Sequence, residues 1–332
     1  MDDQQIIFCS GLGSTGSSAY VNVLQDVKEI MVYDREFRLL VDPDGILDLR
    51  RTLFEHWSYF KIDMALRRYK ELYTNLSNRG LGPYSLLQHN KVFKDFYSKS
   101  NNHFQSILEF EYRGIWYGID TILSRAINKI GYKSRNNLNS KIMYVPKNIS
   151  KSEFDHITRK YLMDLFYSNI DNSKSTCVIE ENLLGLFAEE INEILPNSKI
   201  LNIVRDPLDV IADSIRVNWN AAPKNVDDYV DFQKKAYKKL IETEKDYIKK
   251  GIYGKSIRTF KFESLVLDTE QTVKEIEDYI EIPNIRKKVY KNFNPEISVK
   301  NIGIHKKFLT TEEILKIKNE FIFYYEHYNY QK

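Results

Sequence analysis

Ile6-Ile7-Phe8-Cys9-Ser10-Gly11-Leu12-Gly13-Ser14-Thr15-Gly16-Ser17-Ser18 is the stretch on which the fold turns. Its apolar start reads as a short strand and its glycine-rich centre as a tight turn. The spacing of Val21, Leu24 and Val27 after it marks one face of a helix. A strand, a glycine turn and a helix aim backbone N–H groups and a helix N-terminus at an anion, most often a phosphate. Glycine is needed there because a side chain would block close backbone approach and resist positive φ. Two readings stay open at this point. Gly11, Gly13 and Gly16 spell the G-x-G-x-x-G dinucleotide fingerprint, and Gly11 with Gly16 also frames a Walker-type loop in which Ser17 stands where lysine belongs.

Composition narrows the classes. At 332 residues the chain is one large domain or two modest ones. Its 49 basic and 46 acidic side chains leave a net charge of only +3, so no basic footprint argues for nucleic acid. Cys9 and Cys177 lie in apolar, strand-like runs and read as buried small hydrophobes, with neither a disulfide nor metal-ligand spacing. The polar residues 1–5 precede too short an apolar run for a signal peptide, and no segment approaches a membrane span. A cytoplasmic protein is expected, with peripheral membrane association left open and the oligomeric state unspecified.

Strand-like runs at 6–9, 30–33, 176–179, 200–204 and 257–260 alternate with helical patterns, which predicts a parallel α/β sheet of about five strands. Between the second and third runs, residues 45–172 carry helical patterns at 62–76 and 103–127 and many aromatics. A loop of that length without structure would be exceptional, so a large helical insertion is expected. Polar hinges are read at 133–140 and 150–152.

The dinucleotide reading asks for an acidic residue at the end of the second strand, and Asp34 and Glu36 are placed for it. A kinase reading lacks the lysine and has only a loose magnesium-binding match in Val178-Ile179-Glu180-Glu181. The second half of the chain adds Ile203-Val204-Arg205-Asp206-Pro207-Leu208-Asp209-Val210, a strand running into a helix. Arg205 sits at the carboxyl end where open sheets collect ligands, Asp206 is an N-cap type, and Pro207 suits the first helical turn.

In order, four segments resemble the sulfotransferases that use 3′-phosphoadenosine 5′-phosphosulfate (PAPS). Residues 14–18 resemble the loop for the 5′-phosphosulfate, and residues 203–210 the strand–helix joint for the 3′-phosphate. Phe260-Lys261-Phe262-Glu263-Ser264-Leu265-Val266 is similar to the family's adenine-side segment, and Ser298-Val299-Lys300-Asn301-Ile302-Gly303-Ile304-His305-Lys306-Lys307 to its C-terminal basic loop. The resemblance implies a three-layer, P-loop-like α/β fold as one domain over 1–332, with residues 45–172 forming the acceptor side. It implies an enzyme that moves a sulfuryl group from PAPS to a hydroxyl acceptor, a carbohydrate or glycolipid precursor, leaving PAP and needing no metal.

It also implies roles. Gly11, Gly13, Ser14, Thr15, Gly16, Ser17 and Ser18 would grip the phosphosulfate. Arg205 would clamp the 3′-phosphate through charge-assisted hydrogen bonds, with Lys300, Gly303 and Lys306 closing over the nucleotide and Phe262 walling the adenine. Tyr33-Asp34-Arg35-Glu36-Phe37-Arg38 resembles the glutamate-then-arginine segment of tyrosylprotein sulfotransferases, which makes Glu36 the base; His56 is the reserve. Two positions depart from the family pattern. Ser14 replaces the usual basic residue, for which Arg38 or Lys306 could substitute, and Asp213 replaces the serine eight residues after the arginine, with Ser214 one place late. Asp42 and Asp44, in a Pro-Asp-Gly turn, are read as a loop or as an acceptor mouth. An NAD-dependent Rossmann oxidoreductase and a catalytically silent nucleotide-binding module are the alternatives.

Overall fold

The computed structural model describes residues 4–80, 82–114, 141–168, 175–217, 223, 225–283, 285, 287 and 290–330. Two compact units divide the chain: residues 1–41 with 166–332, and residues 42–165.

The first unit is built on a five-stranded sheet. Strands β1 (Gln5–Gly11), β2 (Ile30–Glu36), β5 (Thr176–Glu180), β6 (Lys199–Val204) and β7 (Ile257–Lys261) lie in the order β2-β5-β1-β6-β7. Every pairing is parallel, with Cys9 opposite Glu180 on one side of β1 and opposite Leu201 on the other. Parallel strands covered on both faces need continuous apolar runs, and Ile6-Ile7-Phe8-Cys9 and Cys177-Val178-Ile179 supply them, all buried. Ile7, Cys9, Val178, Leu201, Ile203 and Phe260 form one core with Tyr20, Leu24, Val273 and Ile276 from helices Ser17–Gln25 and Thr269–Ile280. A second core joins Val204, Leu208 and Ile211 to Tyr237, Leu240 and Tyr324 of helices Pro207–Val217, Val226–Lys250 and Ile322–His327. All five strand runs read from the sequence are thus strands of one parallel sheet, in a P-loop-like arrangement. Cys9 and Cys177 are free and buried.

The second unit is not purely helical. Helix Tyr59–Leu76 starts at Ser58, whose side chain accepts from the Lys61 N–H at 3.2 Å. It buries Ile62, Leu66, Tyr69, Tyr73 and Leu76, a single stripe at helical spacing. Helix Phe96–Ile107 brings His103 against it: Nδ1 lies 2.9 Å from Tyr69 Oη, and Nε2 lies 3.1 Å from Thr158 Oγ1. Burial lowers the His103 ring to about 3, so it stays neutral. The helix expected over 103–127 stops at Ile107. Leu108-Glu109-Phe110-Glu111-Tyr112 alternates apolar and acidic residues with a period of two, and Leu108–Gly114 (β3) pairs antiparallel with Lys141–Pro146 (β4). The remainder of that expectation and the hinge at 133–140 lie outside the described residues. The hinge read at 150–152 is instead a helix start: Ser150 and Glu153 exchange hydrogen bonds as a capping box ahead of helix Lys151–Tyr167. No helix among the described residues is long and apolar enough to cross a membrane.

Arg50 and Asp155 fix the second unit internally by a two-pronged pair, Nε to Oδ1 and Nη2 to Oδ2, both 2.6 Å, with Arg50 1% exposed. Arg50→Ala leaves Asp155 buried and unpaired, so a loss of about 3–5 kcal/mol is expected in urea denaturation; a loss below about 1 kcal/mol would show that the pair does not hold the unit together.

Candidate active site

All five sheet strands end at one cleft. β1 runs into the glycine loop, β2 ends on Glu36, and β5 ends on Glu180. Arg205 directly follows β6, and Phe262 directly follows β7. Ser14, Glu36, Glu180, Arg205 and Phe262 all line a cleft of about 610 Å³. Carboxyl-terminal strand ends are where parallel α/β sheets bind ligands, because helices cover both faces and the loops meet at that edge.

The loop is shaped for close approach. Gly13 and Gly16 have φ of 88° and 87°, and Ser14 between them is held at 52°. Gly16 caps helix Ser17–Gln25, which has no acidic residue in its first turn. The first N–H groups of a helix lack partners within it and carry its positive end. A Cβ on Gly16 would stand 2.4 Å from the Phe262 ring, so the loop rests on β7's aromatic terminus. Thr15 Oγ1 is buried and has no hydrogen-bond partner among the described residues. The hydroxyls of Ser17 and Ser18 donate to Glu180 Oε1 at 2.6 and 3.0 Å, so anion binding at the loop falls mainly to backbone N–H groups.

Arg205 is 3% exposed. Its Nη1 donates to the Ser14 carbonyl at 2.8 Å, and its Nη2 donates to the Asn301 carbonyl at 2.8 Å. Nη1 also lies 3.2 Å from Asp213 Oδ2, and the guanidinium carbon sits 5.1 Å from the centre of the Phe262 ring. Nε is buried and has no hydrogen-bond partner among the described residues, an unmet donor of a cleft-lining side chain. The backbone around it is pinned from several sides. Asp206 caps helix Pro207–Val217 through Leu208 N at 2.9 Å, Glu263 accepts from Asp206 N at 2.8 Å, and Tyr324 Oη donates to the Arg205 carbonyl at 3.2 Å. Burial raises the carboxyls of Asp206 and Glu263.

Ser214 accepts from Tyr229 Oη at 2.8 Å and donates toward Ser14 Oγ at 3.3 Å. Asp209 anchors the C-terminal loop: it accepts from Gly303 N at 2.7 Å and from the N–H and Nδ1 of His305 at 3.2 and 2.6 Å. Burial pushes the Asp209 carboxyl up, yet the His305 and backbone donors outweigh it and hold the group below its ordinary 3.8. Asp206, Asp209 and His305 each offer a metal-type ligand atom within 4.8 Å of the others. Asp209 and His305 act as a hydrogen-bonded anchor, while Asp206 Oδ1 is engaged by Leu208 N and the Tyr325 hydroxyl.

At the opposite end of the cleft Glu36 accepts from Arg38 Nη1 at 2.8 Å and from Asn182 Nδ2 at 2.5 Å. The turn that follows is fixed by Glu181, which accepts from Arg38 N at 2.5 Å and Val41 N at 3.3 Å and holds Arg38 at φ 62°.

The structure therefore gathers Ser14, Gly16, Ser17, Ser18, Glu36, Arg205, Asp213 and Phe262 at one cleft, with Gly11, Gly13 and Thr15 in its loop and Ser214 behind Ser14. Arg38 pairs with Glu36 and does not line the cleft. Lys300 and Lys306 are exposed outside the lining, and Gly303 serves the Asp209 anchor. His56, Asp42 and Asp44 belong to the second unit, where exposed His56 donates its N–H to the Arg51 carbonyl at 3.1 Å. Sequence reasoning passed over Asn182, Arg216 and Lys291, weighed Glu180 only as a loose magnesium-binding match, and took in Asn301 only as part of the C-terminal basic loop. Glu180 was readable as the last residue of a strand beside β1, and Arg216 as the partner of Asp213 three positions on in a helix. Lys291 lies in irregular chain, and Asn301 ends the single 3-10 turn Val299–Asn301, too short to carry a periodic signal.

Residues 125–286 match the model of a family described as the Sulfotransferase family, a span that includes Glu180, Arg205, Asp213 and Phe262 and excludes the glycine loop. No curated protein matches the sequence. Among solved structures the chain is similar to a sulfotransferase domain from the Synechococcus PCC 7002 olefin synthase, with 12% identity, 96% of this chain and 94% of that one covered, and a TM-score of 0.43. It is also similar to sulfotransferase STF9 from Mycobacterium avium, with 10% identity, 98% and 76% coverage and a TM-score of 0.37. A third likeness is to retinol dehydratase in complex with androsterone and inactive cofactor PAP, with 10% identity, 97% and 81% coverage and a TM-score of 0.34. At these TM-scores none of the three bears on the reading of the site.

Two outcomes follow for the site's framework. Gly16→Ala forces a side chain onto a φ of 87° and into the Phe262 ring. A loss of about 1–3 kcal/mol is expected from the backbone alone, and adding Phe262→Ala should relieve only the clash; full additivity in a double-mutant cycle would contradict the contact. Asp209 titrates lower when folded than its ordinary 3.8, so its stabilisation is complete above that value and lost as pH falls through the folded one. Asp209→Asn should therefore flatten the acid limb of the stability curve, and an unchanged limb would dismiss the anchor.

Proposed function

Taking as premise that residues 125–286 match the model of the sulfotransferase family, we propose that the chain transfers a sulfuryl group from PAPS to an acceptor hydroxyl. The observation that carries this reading is the convergence of five strand ends on one cleft, with opposite chemistries at its two ends. Along the sheet order come Glu36 on β2, Glu180 on β5, the glycine loop on β1, Arg205 after β6 and Phe262 after β7. Glu36 and Arg205 are three strand spacings apart, about 14 Å at roughly 4.8 Å per step. That span suits a sulfonucleotide lying along the edge with its reacting group in the middle.

In this reading the loop N–H groups and the start of helix Ser17–Gln25 hold the 5′-phosphosulfate, and the unmet Arg205 Nε turns toward the nucleotide's phosphate. Phe262 lies under Arg205 and limits the base side. Glu36 takes the proton of the acceptor hydroxyl while the acceptor oxygen forms its bond to sulfur. The bond from sulfur to the bridging phosphate oxygen breaks in line, and PAP leaves with that electron pair. A carboxylate has lone pairs to spare beside the donors Arg38 and Asn182, which orient it toward the cleft. Sulfuryl transfer, like phosphoryl transfer, is helped by positive charge on the leaving oxygen, and Ser14 supplies none; helix N-terminal N–H groups take that part. Selection of the acceptor by residues 45–172, a carbohydrate or glycolipid acceptor and a cytoplasmic location belong to the same reading and rest on aromatic content and composition.

The test is transfer of labelled sulfate from PAPS to a panel of hydroxyl acceptors. Wild-type protein should label at least one, and Glu36→Gln should keep nucleotide binding while turnover falls by about 10²-fold or more. Near-wild-type turnover in Glu36→Gln would remove it as the base. Nucleotide binding without transfer to any acceptor would favour the silent module, the reading to which Ser14 and Asp213 lend themselves.

A further inference from the structure

Asp213 Oδ2 lies 3.2 Å from Arg205 Nη1, and its other oxygen accepts from Arg216 Nη2. One carboxylate thus cancels the charge of the one arginine expected to hold the donor's 3′-phosphate. A phosphate dianion set against Arg205 and Asp213 alone would meet no net positive charge and a like-charged neighbour. Arg216 returns the group to +1. The three side chains also differ in reach: Arg205 is 3% exposed, Asp213 17% and Arg216 40%. Arg205 commits both terminal nitrogens to the carbonyls of Ser14 and Asn301 and keeps only Nε for a ligand, so the more exposed guanidinium on the cleft wall is that of Arg216. Lys291, the other basic residue lining the cleft, stands in the segment whose backbone N–H groups are tied to Asp26, and no hydrogen bond among the described residues joins it to this cluster. The Ser214 hydroxyl is held between Tyr229 and Ser14. Helix Pro207–Val217 ends here, and a helix C-terminus repels anions.

We propose that Arg216 is the residue by which this site distinguishes adenine nucleotides carrying a 3′-phosphate from those with a 3′-hydroxyl. It restores the charge that Asp213 removes, and Asp213 in turn orients its guanidinium on the cleft wall. The inference rests on the donor reading above and assigns it a residue that neither the glycine loop nor the strand–helix joint supplies.

The experiment compares calorimetric affinities of wild type, Arg216→Ala and Arg216→Lys for adenosine 3′,5′-bisphosphate and adenosine 5′-monophosphate. Wild type should prefer the bisphosphate. Arg216→Ala should lose at least tenfold in bisphosphate affinity and stay within about twofold for the monophosphate, the scale of one charge-assisted contact. Arg216→Lys, keeping the charge without the fork, should recover part of the preference. An unchanged melting temperature in both variants establishes that they fold. If Arg216→Ala keeps the wild-type preference, or loses both ligands equally, Arg216 does not select the 3′-phosphate and the inference falls while the donor reading stands. If wild type binds neither nucleotide, the donor reading falls and takes the inference with it.

Discussion

A guanidinium that is 3% exposed must find partners or destabilise the fold, and Arg205 finds them in segments far apart in the chain. It ties the Ser14 carbonyl of the glycine loop, the Asn301 carbonyl of the C-terminal region and the Asp213 carboxylate of the following helix into one cluster, over the face of Phe262. Those contacts set the shape of the loop, because Ser14 at φ 52° and Gly16 at φ 87° are conformations a free loop would seldom keep. The buried Nε has no partner among the described residues. A site organised around an unsatisfied buried donor favours an anion that can satisfy it, and the glycine loop beside it offers backbone donors to the same ligand.

The parallel sheet converts sequence order into a spatial order of chemistry. Because β5 lies between β1 and β2, and β6 on the other side of β1, the two carboxylates fall on one side of the loop and the guanidinium and aromatic ring on the other. Three basic residues, Arg205, Arg216 and Lys291, face three acidic ones, Glu36, Glu180 and Asp213, so the cleft is close to neutral in sum. Its polarity therefore comes from separation of charge along the sheet edge, and not from an overall excess. Catalysis that needs a base at one end and anion binding at the other is suited by that division.

Much of this was legible in the sequence, for physical reasons. Buried parallel strands need unbroken apolar runs, so Ile6-Ile7-Phe8-Cys9 and the four later runs announced themselves. Asp206 and Pro207 marked a helix start correctly because capping chemistry is local. Leu108–Gly114 was missed because its alternation lies in an aromatic-rich region that also supports a helical spacing. The site divided along the same line. Residues at strand ends, such as Glu36 and Arg205, could be placed, whereas partners set by tertiary packing could not: nothing in the sequence shows Ser17 and Ser18 turned onto Glu180, or Asp209 tethering His305. The Lys300 and Lys306 positions illustrate the limit, since charge alone does not say which side of a loop meets the cleft.

The most direct test of the account is a calorimetric titration of the wild-type chain with adenosine 3′,5′-bisphosphate against adenosine. A cleft organised by Arg205 and a helix N-terminus recognises the phosphates, so the bisphosphate should bind at one site per chain at least a hundredfold more tightly, with an affinity that falls as salt rises. Equal affinities for the two, or no saturable binding of the bisphosphate, would contradict the claim that this cleft is an anion site.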